Sequence, residues 1–392
     1  MKATCDILIV GGGPAGGLAA WLLARAGLAV TLIEAQTVLG ERVCGAYLCP
    51  AGVALLDEFG LRAELTGSMR PLLGMVLVSP NHNWLRTRFP AHGRCPDFGL
   101  SLRRPEFDSA LLAAAARNGA MIRMGKQLRA VQRTGEGWRA QLAGGEIIST
   151  RLLIGADGRK SRVAKLLGLA TPPWQERVAL HVDVPSLVPT EPYGEMHVFP
   201  DGTYIGLNPV GPRALNISAL CDPAELRRTT ALEFINQRTQ ASEHLRWRIA
   251  PVTNAARVRA TFPAAAGTRN AVAANAALIG DASGFVDPLT GEGIYQALWT
   301  ARALAREVSG AWSDDATLNA ALRRYARQRR RQYRGKRWCC RMFQAIIRRP
   351  RLSNAVHDVL SFREGIGNSF IGLIGNIYSP AQAALLMMLA LT

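Results

Sequence analysis

The stretch GDASGFVDPLTGEGI at 280–294 sets an acid behind a glycine, then a proline-stiffened step, then two more glycines. Gly280 and Asp281 close an apolar run, AALIGD, that reads as a buried strand with the acid at its tip. Pro288 rigidifies the turn, and Gly291, Glu292, Gly293 and Ile294 open a long helical pattern. Gly291, Gly293 and Pro288 are reaction-site candidates. The two glycines remove side chains where a flat ring can pass, and their N–H groups can face a ring edge that gains negative charge on reduction.

A second glycine cluster, GGGPAGG at 11–17, lies near the N-terminus. It follows the apolar run CDILIV and precedes a helical pattern rich in alanine and leucine. A second apolar run, AVTLIE, then ends on Glu34. Gly11, Gly13 and Gly16 fit G-x-G-x-x-G. Gly11 permits the tight turn, Gly13 lets backbone approach a pyrophosphate, and Gly16 lets helix pack on strand. The helix N-terminus then offers free N–H groups to phosphate, and Glu34 can accept from ribose hydroxyls. If the strand ending at Asp281 returns to this sheet, the two glycine clusters hold opposite ends of one extended dinucleotide, with Asp281 on its central region.

Further groups fall between these ends. Arg42, Cys44 and Gly45 sit in a glycine-bounded loop able to run beside a dinucleotide, with a helix from about Pro50 to Phe59 after it. Arg104 precedes a helix in RRPEFD and reads as a phosphate or cofactor contact, or as an ordinary surface arginine. Asp157 and Gly158 end the apolar strand RLLIGADG, where the acid serves a ribityl chain or pyrophosphate, or caps the helix that follows. Residues 127–155 read as a β-meander turning at GEG and AGG. From 178 to 219 short strands broken by Pro, Gly and Asp read as an antiparallel sheet, joined by a helix at about 223–240 and strand-like pieces near 76–97 and 255–262. His181, His197, Phe199 and Tyr204 are its substrate candidates, and the histidines read equally as polar residues of the sheet's outer face.

The 392 residues allow more than one domain, and 48% hydrophobic content argues against disorder. Cysteine and histidine spacing suggests no disulfide framework and no metal site, and the odd cysteine count suits a reducing compartment. The opening residues read as strand and turn rather than a secretory signal, and AALLMMLAL at 383–391 as a packed terminal helix or a shallow anchor. Net charge is +18, concentrated from Ala316 to His357, where twelve arginines and one lysine meet no acid. Residues 323–350 read as a helix with an inner stripe of Leu322, Tyr325, Trp338, Met342, Phe343 and Ile346. The arginine-rich segment 323–351 suits an anionic membrane surface or an acidic carrier protein. Nucleic acid is disfavoured for want of any recognition motif.

Together GGGPAGG, Glu34, RVCG at 42–45, RRPEFD at 103–108, GADGRKSRV at 155–163 and GDASGFVDPLTGEGI resemble the glutathione-reductase-type FAD flavoproteins of the hydroxylase superfamily. Within it they look most like the geranylgeranyl reductase family. The resemblance implies a Rossmann-like α/β FAD-binding domain from 1–75, 98–177 and 268–322. It also implies an inserted antiparallel-sheet substrate domain from 76–97 and 178–267, and a basic helical region from 323–392. Gly11, Gly13, Gly16, Glu34 and Arg104 would hold the ADP part of FAD, Asp157 and Asp281 its centre, and the 287–293 loop would cover the flavin. Cys44 would lie on the substrate side of the ring, or serve as a small buried hydrophobe. MHVFP at 196–200 resembles a lipid-pocket piece of these reductases, with Met196 where an aromatic is usual. The W-x-W-x-I-P piece of the related halogenases has no counterpart here. The implied activity is reduction of carbon–carbon double bonds in a lipophilic substrate. The alternative is FAD-dependent monooxygenation of an aromatic, polyketide-like or carrier-bound substrate. Without a second G-x-G-x-x-G unit, NAD(P)H would bind transiently, or a ferredoxin or flavin reductase would donate electrons. The expected location is the cytoplasm, with peripheral membrane association as a variant.

Overall fold

The computed structural model describes residues 3–65, 69–173, 176–253, 256–285 and 291–390. The first apolar run forms the strand Ala3–Val10, and the segment after the glycines forms the helix Pro14–Arg25. Val30–Ile33 returns parallel to the first strand, Val10 facing Ile33. Parallel strands in the order Ala276–Leu278, Ile147–Gly155, Ala3–Val10, Val30–Ile33, Met121–Arg123 make the centre of an eight-stranded sheet. Both faces of this sheet are covered, which is why its strands read as continuous apolar runs. Ile7 and Ile9 pack with Leu18, Leu111 and Leu298 of the helices Pro14–Arg25, Arg104–Arg117 and Gly293–Val308. Leu8 and Val10 pack with Leu128, Ala140 and Leu142 of the meander.

A second, seven-stranded sheet runs Arg259–Thr261, Val178–Pro185, Ala214–Cys221, Tyr204–Gly211, Tyr193–Val198, Gly74–Val78, Trp84–Arg88. It is antiparallel except where Tyr193–Val198 meets Gly74–Val78 in parallel. That parallel pair is possible because a long chain excursion separates the two strands. The chain therefore enters this sheet at Gly74. The helix Ala231–Ala241, started by a Thr230–Glu233 capping box, lays Phe234 and Ile235 on the outer face against Leu180, Ile205 and Ile217.

Side-chain alternation sorts the four substrate candidates. His181, Ser218, Gly206, Met196 and Leu77 lie in register across the sheet. Met196, Leu77 and Tyr204 of this set of rows pack with the core of the dinucleotide-binding domain. The next row, Leu180, Ala219, Ile205, His197 and Val78, turns the other way. His197 thus takes the outer-face alternative, and Phe199, which packs in the outer-face core, departs from its substrate role. The cause is the two-residue period of a strand. On the outer side His197 Nε2 bonds Glu195 Oε2 at 2.9 Å, and Arg248 grips the same carboxylate at 2.6 and 3.0 Å.

The basic helix spans Asp315–Ile347, capped by Asp314, so it crosses the boundary expected at 322/323. No proline interrupts it. Its buried side includes Leu322, Tyr325, Tyr333 and Phe343, while Met342 and Ile346 are half-buried. Trp338 is 63% exposed, contrary to the expected stripe. At 3.6 residues per turn it stands roughly 220° around the axis from Tyr325. Helices Pro350–Phe362, Glu364–Ile374 and Pro380–Leu389 follow, and no helix among the described residues is long and apolar enough to cross a membrane.

Burial disfavours the Glu195 charge, but bonds from His197 and Arg248 outweigh it and take its pKa from 4.5 down to about 2. A depressed acid stabilises the fold above its unfolded pKa and loses that contribution as pH falls toward the folded value. Roughly 3 kcal/mol should therefore vanish between about pH 5 and pH 2. Glu195→Gln should flatten this part of the acid-unfolding curve, read by circular dichroism. A variant curve that overlays the wild type would remove Glu195 as a stabilising acid.

Candidate active site

Glycine is required at the first turn by direct contact. Gly11 has φ +111°, and a Cβ there would lie 2.5 Å from Ala156 O. A Cβ on Gly16 would lie 1.9 Å from Gly11 O. Gly13 differs, because a Cβ there meets nothing nearer than Arg104 Nη2 at 3.7 Å. The space before Gly13 is open, and the helix behind it has no side-chain cap. Uncapped N–H groups facing open space fit a pyrophosphate. Glu34 is buried and accepts from Gly12 N at 2.7 Å and Gln36 N at 3.0 Å, with Arg42 Nη2 3.6 Å away. Each carboxylate oxygen can accept two bonds, so capacity for ribose hydroxyls remains.

Arg104 is positioned rather than free. Its Nε and Nη2 grip Asp108 at 3.1 and 2.7 Å. Burial opposes its charge, but Asp108 outweighs burial and raises its pKa, with Cys44 contributing beside it. The guanidinium thus spans from Gly13 to Cys44. Asp281 comes to the same place. The strand Ala276–Leu278 pairs parallel with Ile147–Gly155, and a Cβ on Gly280 would sit 2.9 Å from Ala15 Cβ. Burial raises the Asp281 pKa, opposed by Arg159 and Arg104. Arg159 Nε lies 3.8 Å from Asp281 and its guanidinium 5.7 Å from the Phe285 ring. Sequence reasoning missed Arg159, although it directly follows the Asp157–Gly158 pair. Asp157 itself turns to the helix Arg162–Leu166, accepting from Ser161 Oγ at 2.5 Å, Arg162 N at 2.7 Å and Val163 N at 3.1 Å. Its side chain acts as a cap, and only its backbone abuts Gly11. Gly158, at φ +75°, completes that turn.

At the far end, Pro288 lies outside the described residues. Gly291 has φ +64°, and a Cβ there would be 2.6 Å from Tyr47 Cδ1. Its missing side chain therefore makes room for a protein ring. A Cβ on Gly293 would be 3.5 Å from Phe285. Ile294 is core, starting the helix that packs beside Pro14–Arg25. Glu292 is buried and paired with Lys336 Nζ at 2.7 Å, with Gln296 Nε2 at 3.2 Å. Lys336 was not foreseen. Its signal was a lone lysine in an arginine run.

The loop at 42–46 hangs on the second sheet. Cys44 O lies 2.9 Å from His181 Nδ1 and 3.1 Å from Ser218 Oγ, and Gly45 O accepts from Asn208 Nδ2. A cleft opens there, lined by apolar Ala46, Leu102 and Val210 as well as by Cys44, His181, Asn216 and the charged groups Glu41, Arg103, Arg104 and Asp183. His181 Nε2 is buried without a hydrogen-bond partner, 3.8 Å from Asp183 Oδ1. Glu41, His181 and Asp183 hold their ligand atoms within 4.8 Å of one another. Arg103 and Arg104 line the same cleft, and their charge opposes a cation there. The set suits proton handling beside a polar substrate better than metal binding.

A glycine-turn nucleotide cradle on a parallel sheet, closed by a second sheet over its far end, defines a flavin-dependent oxidoreductase. The chain belongs to the family described as FAD binding domain, whose sequence model matches residues 4–335. The digeranylgeranylglycerophospholipid reductase 1 of Methanothermobacter thermautotrophicus is 31% identical over 318 residues, covering 76% of this chain and 75% of that protein. PqsL from Pseudomonas aeruginosa, described as a probable FAD-dependent monooxygenase, superposes with TM-score 0.74 at 22% identity, over 91% of this chain and all of that one. A geranylgeranyl bacteriochlorophyll reductase-like protein from Thermoplasma acidophilum superposes with TM-score 0.77 at 19% identity, over 100% and 96%. The structural likenesses bear on fold, and the expected architecture of FAD domain, sheet domain and C-terminal helices is present.

Two substitutions separate cofactor space from packing. Gly13→Val should leave a folded protein that purifies colourless, because its side chain enters the phosphate space. Gly16→Val should fail to fold, because it meets Gly11 O. A yellow Gly13→Val protein would move the phosphates elsewhere. Lys336→Met strands the Glu292 carboxylate and should cost roughly 3–5 kcal/mol. Adding Glu292→Gln should recover most of that loss in thermal melts, and purely additive losses would deny the pair any coupling.

Proposed function

We propose that this enzyme is an FAD-dependent monooxygenase acting on an aromatic or conjugated small molecule that carries polar groups. The cleft between the Cys44 loop and the second sheet, where the buried His181 Nε2 stands among Glu41, Asp183 and apolar Ala46, Leu102 and Val210, carries this reading. A polyprenyl chain lying there would leave His181 Nε2, which has no hydrogen-bond partner among the described residues, against hydrocarbon, a costly arrangement. A hydroxyl, amine or carboxylate on a ring satisfies it instead.

FAD supplies the two-electron redox chemistry. The chain supplies binding, orientation and exclusion of water. Gly13, at the turn shaped by Gly11 and Gly16, would bring backbone to the phosphates, Glu34 would take the ribose, and Arg104, held by Asp108, would face the phosphates. Asp281, with Arg159 beside it, would meet the central hydroxyls of the cofactor. Residues 291–294 form a helix N-terminus whose N–H dipoles would favour negative charge on the flavin. Cys44 lines the substrate side, and His181 Nε2 is the group placed to hold or pass a proton. The overall change inserts one oxygen atom from dioxygen and releases the other as water, with two electrons from NAD(P)H bound transiently and two protons.

The second reading is addition of two electrons and two protons to a carbon–carbon double bond. Sequence likeness to a lipid reductase favours it, as does the apolar Leu77, Met196 and Val198 patch on the same sheet face. In both readings the enzyme works in the cytoplasm.

The deciding experiment reduces the protein anaerobically. It then offers aromatic acids or polyprenyl quinones, with and without air, and records product mass. Gain of one oxygen from an aromatic acid, dependent on air, is expected. Gain of two hydrogens without air would replace the first reading by the second, and an unchanged mass for every compound would defeat both.

A further inference from the structure

We propose that the C-terminal helices form a landing surface for an anionic lipid bilayer, with Val359, Phe362, Leu385 and Met388 entering the headgroup boundary and neighbouring arginines meeting lipid phosphates. The inference is independent of which flavin reaction the enzyme performs.

Helix Pro350–Phe362 turns Ser353, His357 and Leu360 inward. Its opposite side shows Leu352, Val359 and Phe362 to solvent, Val359 at 55% and Phe362 at 67%. The spacing of three and seven residues keeps these three on one face. Helix Pro380–Leu389 carries Gln382 as its one polar residue, yet Ala383 is its one buried residue. Leu385 and Met388, three residues apart, are 58% and 64% exposed. The two helix ends meet, because Arg363 Nη1 donates to Ala390 O at 3.1 Å. Phe362 and the end of the terminal helix therefore border one surface. Large apolar side chains clustered in solvent mark an interaction site.

Charge names the occupant. Arg349, Arg351 and Arg363, on helix Pro350–Phe362 and at its two ends, are exposed and make no salt bridge among the described residues. Exposed Arg327, Arg330, Arg331 and Arg334 extend the cationic field along the helix Asp315–Ile347. Asp358 and Glu364 are the acids on these helices, while Asp201, Asp222 and Glu225 line a cavity beside Arg348. A second copy of a chain with net charge +18 would bring arginine against arginine. An anionic bilayer accepts both components, since apolar tips enter the interface while arginine stems lie along it with their heads at phosphate. The surface thus lies on a membrane and does not span it.

Flotation of the full FAD-loaded chain with phosphatidylglycerol-rich vesicles, against pure phosphatidylcholine vesicles, tests the proposal. Binding to the anionic vesicles is expected, weakened by salt. Phe362→Glu with Met388→Glu should reduce it by more than about tenfold. Melting temperature and flavin content should stay unchanged, since both side chains project into solvent. Arg349→Glu with Arg351→Glu should also weaken binding and shrink its salt dependence. No flotation with anionic vesicles, or equal flotation of the Phe362/Met388 variant, overturns the proposal. So does dimerisation in light scattering that this variant abolishes, or capture by an acidic acyl carrier protein without vesicle binding.

Discussion

The closest backbone approach in the cofactor cradle is between Gly16 and the Gly11 carbonyl, where a Cβ would stand 1.9 Å from oxygen. That contact lets the first helix lie directly on the end of its strand. The same tightness recurs where Gly280 meets Ala15. Two chain segments far apart in sequence are thereby brought against one helix N-terminus. The open volume before Gly13, and the charges of Arg104, Arg159 and Asp281 around it, exist because these approaches are so close.

The arginine-rich helix has two jobs on two faces. Inward, Tyr325 Oη donates to Leu278 O at 2.7 Å, Arg329 bonds Ser283, and Lys336 pairs with Glu292. These contacts tie the helix to both sides of the glycine-rich segment that ends the cradle. Outward, its remaining arginines face solvent. A charge run that reads as one feature in sequence is thus divided by helical period into cofactor-loop support and a cationic surface.

The two sheets are joined through main-chain carbonyls. Cys44 and Gly45 present theirs to His181, Ser218 and Asn208 of the second sheet. Such buried polar links are directional, so they set the orientation of the loop as well as its distance. The Cys44 side chain and the cleft beside it are placed by this anchoring.

Local pattern in the sequence determined the nucleotide half of the protein. Strand, glycine turn, helix, strand and acid are neighbours along the chain, and glycine spacing reports backbone approach directly, so 3–34 and the return of Asp281 were legible. So were the meander and the strands of the second sheet, from their period and turns. Tertiary structure alone decided which face each strand residue takes, because a one-residue shift of register inverts every side chain. Hence His181 faces the cleft and His197 joins Glu195. It alone also decided that Gly291 makes room for Tyr47 and that Lys336 neutralises Glu292. Each depends on where a distant segment comes to rest, and no local spacing encodes that.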